Sequence, residues 1–183
     1  KSTLILQTIR DLMQAENIPV ERFLYINFED DRLLPCTQAK LVALLEGFYK
    51  KYPENHHKLC YFFLDEIQNA EEWAIVMRRF FETKKVKIYL SGSSAKLLSK
   101  EIATSLRGRS FATEVWPYSF QEYLTLPFVS EHINSLNLYP RSQAWQDQLF
   151  YSFQEYIKNG GLPGTFQVLP LHRPQLLQEY VEI

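Results

Sequence analysis

Two adjacent carboxylates, Asp65 and Glu66, end an unbroken apolar run, Cys60-Tyr61-Phe62-Phe63-Leu64. Five apolar residues in a row read as a strand buried on both faces, as parallel sheets require. Acids at the tip of such a strand are costly to desolvate unless something cationic or reactive sits there. In open α/β sheets, ligands bind at the carboxyl ends of the strands. The pair therefore reads as a metal ligand, Asp65, beside a water-activating base, Glu66. The alternative is a polar strand end whose acids cap the next helix.

The chain opens Lys1-Ser2-Thr3 at the head of a helical pattern. Lys-Ser is how a phosphate-binding P-loop ends: the lysine meets the β/γ-phosphates and the hydroxyl meets Mg²⁺. The helix adds its positive N-terminal end. The glycines of a P-loop do not precede Lys1, and Lys-Ser-Thr alone is a weak motif. Its place ahead of the acid-tipped strand, in β–α–β order, strengthens it. Asp65 and Glu66 then take the Walker B positions.

Ser91-Gly92-Ser93-Ser94 ends the following strand. Ser91 or Ser93 there could sense a γ-phosphate or position water; a Ser/Gly turn with Ser94 as helix cap is the alternative. Arg107 or Arg109 could act as an arginine finger in a neighbouring subunit. Taken alone, both read as surface charge. Gln68 could add a phosphate or inter-subunit contact, or be a loop residue. Glu29-Asp30-Asp31 could approach the metal or form a solvated strand end. His56-His57 lacks further ligands at metal spacing and reads as a solvated loop.

These residues need a scaffold. Ile5, Ile9, Leu12 and Met13 place a helix over 2–14, closed by Asn17-Ile18-Pro19. A strand over 23–28 follows, then a helix over 38–50 with Thr37 as cap. After the acid-tipped strand come a helix over 71–82, a strand over 86–90, a helix over roughly 95–104 and a last strand, Phe111 to Trp116. Strands alternating with helices predict a parallel sheet covered on both faces. Beyond Pro127 the pattern changes to a connection over 128–141, a helix near 143–158, a turn at Gly160-Gly161 and a helix after Pro174. The expected division is a core over 1–127 and a small helical subdomain over 128–183.

The chain has 183 residues, 46% of them apolar, and a net charge of -1. Bulk charge therefore gives no argument for nucleic-acid or membrane binding. Charge is unevenly spread: residues 78–109 hold nine Lys/Arg against two acids, and residues 11–31 hold six acids against one arginine. Two solvated faces are the plain reading of that spread. Cys36 and Cys60 show no metal or redox spacing, which fits a reducing cytosol. No apolar run reaches membrane-spanning length. The first residue is Lys and the last ones stop inside a helical pattern, so both ends are expected to be cut.

Taken in order, Lys1-Ser2-Thr3, Tyr25-Ile26-Asn27-Phe28-Glu29-Asp30, Leu64-Asp65-Glu66-Ile67-Gln68, Tyr89-Leu90-Ser91-Gly92-Ser93-Ser94, Leu106-Arg107-Gly108-Arg109, Pro117-Tyr118-Ser119-Phe120-Gln121-Glu122-Tyr123 and Gly160-Gly161-Leu162-Pro163 resemble the prokaryotic AAA-type P-loop ATPases. In that family the ATPase core is usually followed by a C-terminal domain likened to restriction-endonuclease folds. The resemblance implies an α/β P-loop core with a partial helical lid, ATP and Mg²⁺ as cofactors, and hydrolysis coupled to a conformational switch in the cytoplasm. It assigns Lys1, Ser2, Thr3 and Asp65 to nucleotide binding, with Ser2 and Asp65 at the metal. It assigns Glu66 to the base, Ser91 or Ser93 to the sensor, and Arg109, or Arg107, to the finger. The family's glycine loop, first strand and C-terminal domain are missing from the sequence. Partners implied are ATP, a homo-oligomer, and a nucleic-acid or protein client, with no membrane. The competing functions are a non-hydrolysing P-loop scaffold and a nucleic-acid-associated regulatory ATPase.

Overall fold

The computed structural model describes residues 1–92, 110–135, 140 and 142–181, which group into two compact units, Lys1–Glu114 and Val115–Ile183. The division drawn from the sequence lay later, after residue 127.

The first unit is an α/β sandwich. Helix α1 (Ser2–Ala15) leads to strand β1 (Phe23–Asn27), helix α2 (Gln38–Lys51), strand β2 (Cys60–Asp65), helix α3 (Trp73–Thr83) and strand β3 (Val86–Leu90). The sheet is parallel in the order β1-β2-β3, with β2 central and all six of its residues buried. A strand covered on both faces needs no polar alternation, so the greasy run belongs here.

Alternate residues of each strand serve opposite faces. Cys60, Phe62 and Leu64 enter the larger core, with Leu41, Leu45 and Phe48 of α2 and Trp73, Val76, Met77 and Phe80 of α3. Tyr61 and Phe63 enter the smaller one with Ile5 of α1 and Ile18. The helices therefore lie on both faces, as the sequence implied. The caps are local: the Thr37 hydroxyl accepts from the Lys40 amide at 3.3 Å and starts α2.

The second unit is helical. It holds α4 (Phe120–Thr125), α5 (Pro127–Ser135), α6 (Gln143–Asn159) and α7 (Arg173–Val181). A capping box opens α4: the Glu122 amide donates to the Ser119 hydroxyl and the Glu122 carboxylate accepts from the Ser119 amide at 2.8 Å. Gly160, at φ 69°, ends α6 in a conformation that suits glycine. Gly161 then meets Tyr118, whose amide donates to the Gly161 carbonyl at 2.7 Å. The Tyr156 hydroxyl also bonds the Tyr118 carbonyl at 2.7 Å. Rings of Phe120, Tyr123, Tyr156 and Phe166 stack or tilt together at centroid separations of 5.5 to 6.2 Å across this unit.

Two expectations fail here. No strand forms over Phe111–Trp116: the three described strands pair only with one another, and the Phe111 and Trp116 side chains are exposed. An apolar segment without a ladder partner leaves its backbone groups to water. The connection expected over 128–141 instead contains α5, which starts on Pro127. Proline stops a strand but is favoured at the first helical position, and that second role wins here. The helix expected over 95–104 lies outside the described residues.

Candidate functional site

The parallel register brings three strand ends together. Asn27 pairs with Asp65, and Leu64 with Leu90, so Ser91 follows directly beside Asp65. The Ser91 amide donates to the Leu64 carbonyl at 3.0 Å and keeps β3 in step past its last strand residue.

Asp65 is fully buried. Its two oxygens are met from opposite sides. The Ser91 hydroxyl donates to Oδ1, and the Tyr25 phenol donates to Oδ2 at 3.2 Å. A buried carboxylate is tolerable when hydrogen-bonded in this way. Burial first, and then the Asp65 carboxylate beside it, push the Tyr25 phenol above its ordinary value.

Glu66 departs from the strand. Its φ of 52° and ψ of 49° are left-handed, which is uncommon for a residue carrying a Cβ. The turn points Glu66 away from the ladder while its amide donates to the Ser91 hydroxyl at 3.3 Å. Gln68 reaches back and donates its side-chain amide to Glu66 Oε2 at 2.6 Å. The two acids thus have different surroundings: Asp65 is sealed and Glu66 is half-buried.

Lys1 joins the group from the other side. Its ammonium donates to the Gly92 carbonyl, one residue past Ser91. Ser2 and Thr3 follow in the exposed first turn of α1, which has no side-chain cap among the described residues. The amides of that turn are therefore available to an anion.

The structure brings Lys1, Asp65, Glu66 and Ser91 together at one end of the sheet, through Gly92 and the Ser91 hydroxyl; Ser2 and Thr3 follow Lys1 in α1. Ser93 and Arg109, with Ser94 and Arg107, lie outside the described residues. Glu29–Asp31 occupy the turn after β1, where Asp30 pairs with Arg32. That pairing pulls the Asp30 carboxyl down to about 2, through the Arg32 side chain first and its amide second. His56 stacks on Tyr49 at 5.0 Å, near the start of β2 and away from the acids. Of the basic stretch, Lys84, Lys85 and Lys87 border the start of β3, also at the opposite end of the sheet.

Two residues of the cluster had no assigned partner in the sequence. The sequence reads Gln68 as a loop residue or a phosphate or inter-subunit contact, and Tyr25 as part of the strand over 23–28. The alternation Phe23-Tyr25-Asn27, with Asn27 level with Asp65, is the signal that could have placed Tyr25 on the acid's face.

The model of the AAA domain family matches residues 1–124. This chain belongs to the AAA domain family. The match covers the whole three-stranded unit and carries with it the general nucleotide-binding character of these domains. The chain is 36% identical over 162 residues to "Uncharacterized protein MJ1544" of Methanocaldococcus jannaschii, covering 87% of this chain and 34% of that protein. It is 34% identical over 165 residues to an uncharacterized protein of Haemophilus influenzae, covering 90% of this chain and 37% of that one. A second M. jannaschii protein, MJ1637, is 25% identical over 166 residues, with 90% and 30% covered. The chain thus spans about a third of the length of these curated relatives. No solved structure matches the chain. Among the described residues no helix of this AAA-family chain is long and apolar enough to cross a membrane.

Proposed function

We propose that this AAA-family chain is the core of an ATPase that binds Mg²⁺·ATP, hydrolyses it, and couples the nucleotide state to a conformational switch in a cytoplasmic protein. The observation that carries the reading is the convergence of the Lys1 helix start with Asp65 and Glu66 around Ser91 and Gly92.

The donor set suits Mg²⁺ held largely by water and phosphate. Among the described residues no three His, Cys, Asp or Glu side chains gather into a cation cage. Mg²⁺ bound to a nucleotide typically takes one or two carboxylates and keeps several waters. Asp65 and the Ser2 hydroxyl are the residues that would hold it. When bound, it would neutralise charge on the β- and γ-phosphates.

The chain's own groups divide the remaining work. Lys1 leaves the Gly92 carbonyl and places its ammonium on phosphate oxygens, with the α1 amides and Thr3 around them. Glu66, turned out of the strand and steadied by Gln68, orients a water and takes its proton at a carboxylate oxygen. Ser91 holds both acids in register. Ser93 as a sensor and Arg109 as a finger from a neighbouring copy complete the scheme, which calls for a homo-oligomer. A nucleic-acid or protein client would receive the switch.

Glu66→Gln in the full-length protein tests the reading. ATP binding should persist while phosphate release falls by about 10²-fold or more, the scale of a general base. Undiminished hydrolysis would overturn the assignment of Glu66.

A further inference from the structure

We propose that Tyr25 is a positioning residue for Asp65, its phenol orienting the carboxylate toward the nucleotide-bound divalent cation. The inference rests on the ATPase reading above and adds to it a residue from the edge strand.

Three observations carry it. The phenol donates to Asp65 Oδ2 at 3.2 Å, while Ser91 donates to Oδ1, so the carboxylate is held from β1 and from the residue that follows β3. Tyr25 pairs with Phe63, and Asn27 with Asp65, so the tyrosine reaches one layer up the same face to find the acid. Tyr25 is also spent for this contact. It is 39% exposed on the sheet edge, against 2% for Tyr61 and 0% for Phe63 beside it. An aromatic ring left that open contributes little to the core, so its burial does not account for the phenol's place.

The chemistry follows from counting lone pairs. An ionised carboxylate has about four acceptor sites. Two hydroxyls occupy one site on each oxygen, and the remaining sites are the ones that would meet a metal-bound water. Groups that orient a metal's carboxylate partner commonly govern affinity by roughly 10- to 100-fold. Removing the phenol oxygen and keeping the ring should release one side of that clamp.

The test is Tyr25→Phe in the full-length protein, read by Mn²⁺ binding in the presence of a non-hydrolysable imido analogue of ATP, with electron paramagnetic resonance as the probe. The expected result is Mn²⁺ affinity roughly 10-fold weaker, with binding of the metal-free analogue and the melting temperature unchanged. A merely structural tyrosine would shift the melting temperature and leave the metal affinity alone. Wild-type Mn²⁺ affinity in the variant overturns the role of Tyr25 and leaves the ATPase reading standing. A wild-type protein that binds neither the analogue nor Mn²⁺ overturns both.

Discussion

The hydroxyl of Ser91 links the two acids: it donates to the Asp65 carboxylate and accepts from the Glu66 amide at 3.3 Å. One oxygen just past the end of β3 thereby links the residue assigned to the metal with the residue assigned to water. Its place in the sequence suggested a phosphate sensor. Its bonds make it a bracket between the two acids.

Ser91→Ala should therefore impair chemistry and stability together. Asp65 would keep one donor and lose the other while staying buried, a loss of about 1–3 kcal/mol. Turnover should fall, and Ser91→Thr, which restores a hydroxyl, should recover part of it. Chemical denaturation paired with a phosphate-release assay checks both effects. An alanine variant with unchanged stability would mean the bond to Asp65 is not made in solution.

Glu66 offers the opposite sign. Its left-handed backbone is tolerated better by Asn than by Glu. Glu66→Asn should raise stability by about 1 kcal/mol, the scale of one strained residue, and abolish hydrolysis. Calorimetry and a turnover assay on the same sample measure the trade. A variant that loses activity without gaining stability would show that the Gln68 bond outweighs the backbone strain.

Gly161 tests the second unit. A Cβ there would lie 2.2 Å from the Tyr118 carbonyl oxygen. Backbone cannot yield as a side-chain end can, so Gly161→Ala should destabilise this unit by about 2–3 kcal/mol. Hydrogen exchange should quicken at the Tyr118 amide and along α6 while β2 keeps its protection. Uniform loss of protection across the chain would refute a local effect.

Much of the first unit could be read from residues alone. The helix expected over 38–50 is α2, Gln38–Lys51, and the strand expected over 86–90 is β3 with the same ends. Those elements are set by side-chain period and turn residues, both local. The strand expected over Phe111–Trp116 failed because pairing is not local. Helix α4 carries a readable start, Ser119-x-x-Glu122, in a stretch for which the sequence reading places no helix. In the site, the order of acids and lysine marked where chemistry could sit. Which hydroxyl serves which oxygen depends on register between β1, β2 and β3, and no single segment contains that.

Strand β2 is apolar on both sides, and Phe62 and Phe63 are nearly interchangeable. Hydrophobicity alone would accept this strand slid by one residue, because every side chain would still be buried. The slide would carry Asp65 to the opposite face, away from Tyr25 and Ser91, and strand a carboxylate among Leu and Phe side chains. The polar row thus acts as a gauge of alignment during folding. A sheet that has found its correct pairing has, by the same bonds, assembled its acids.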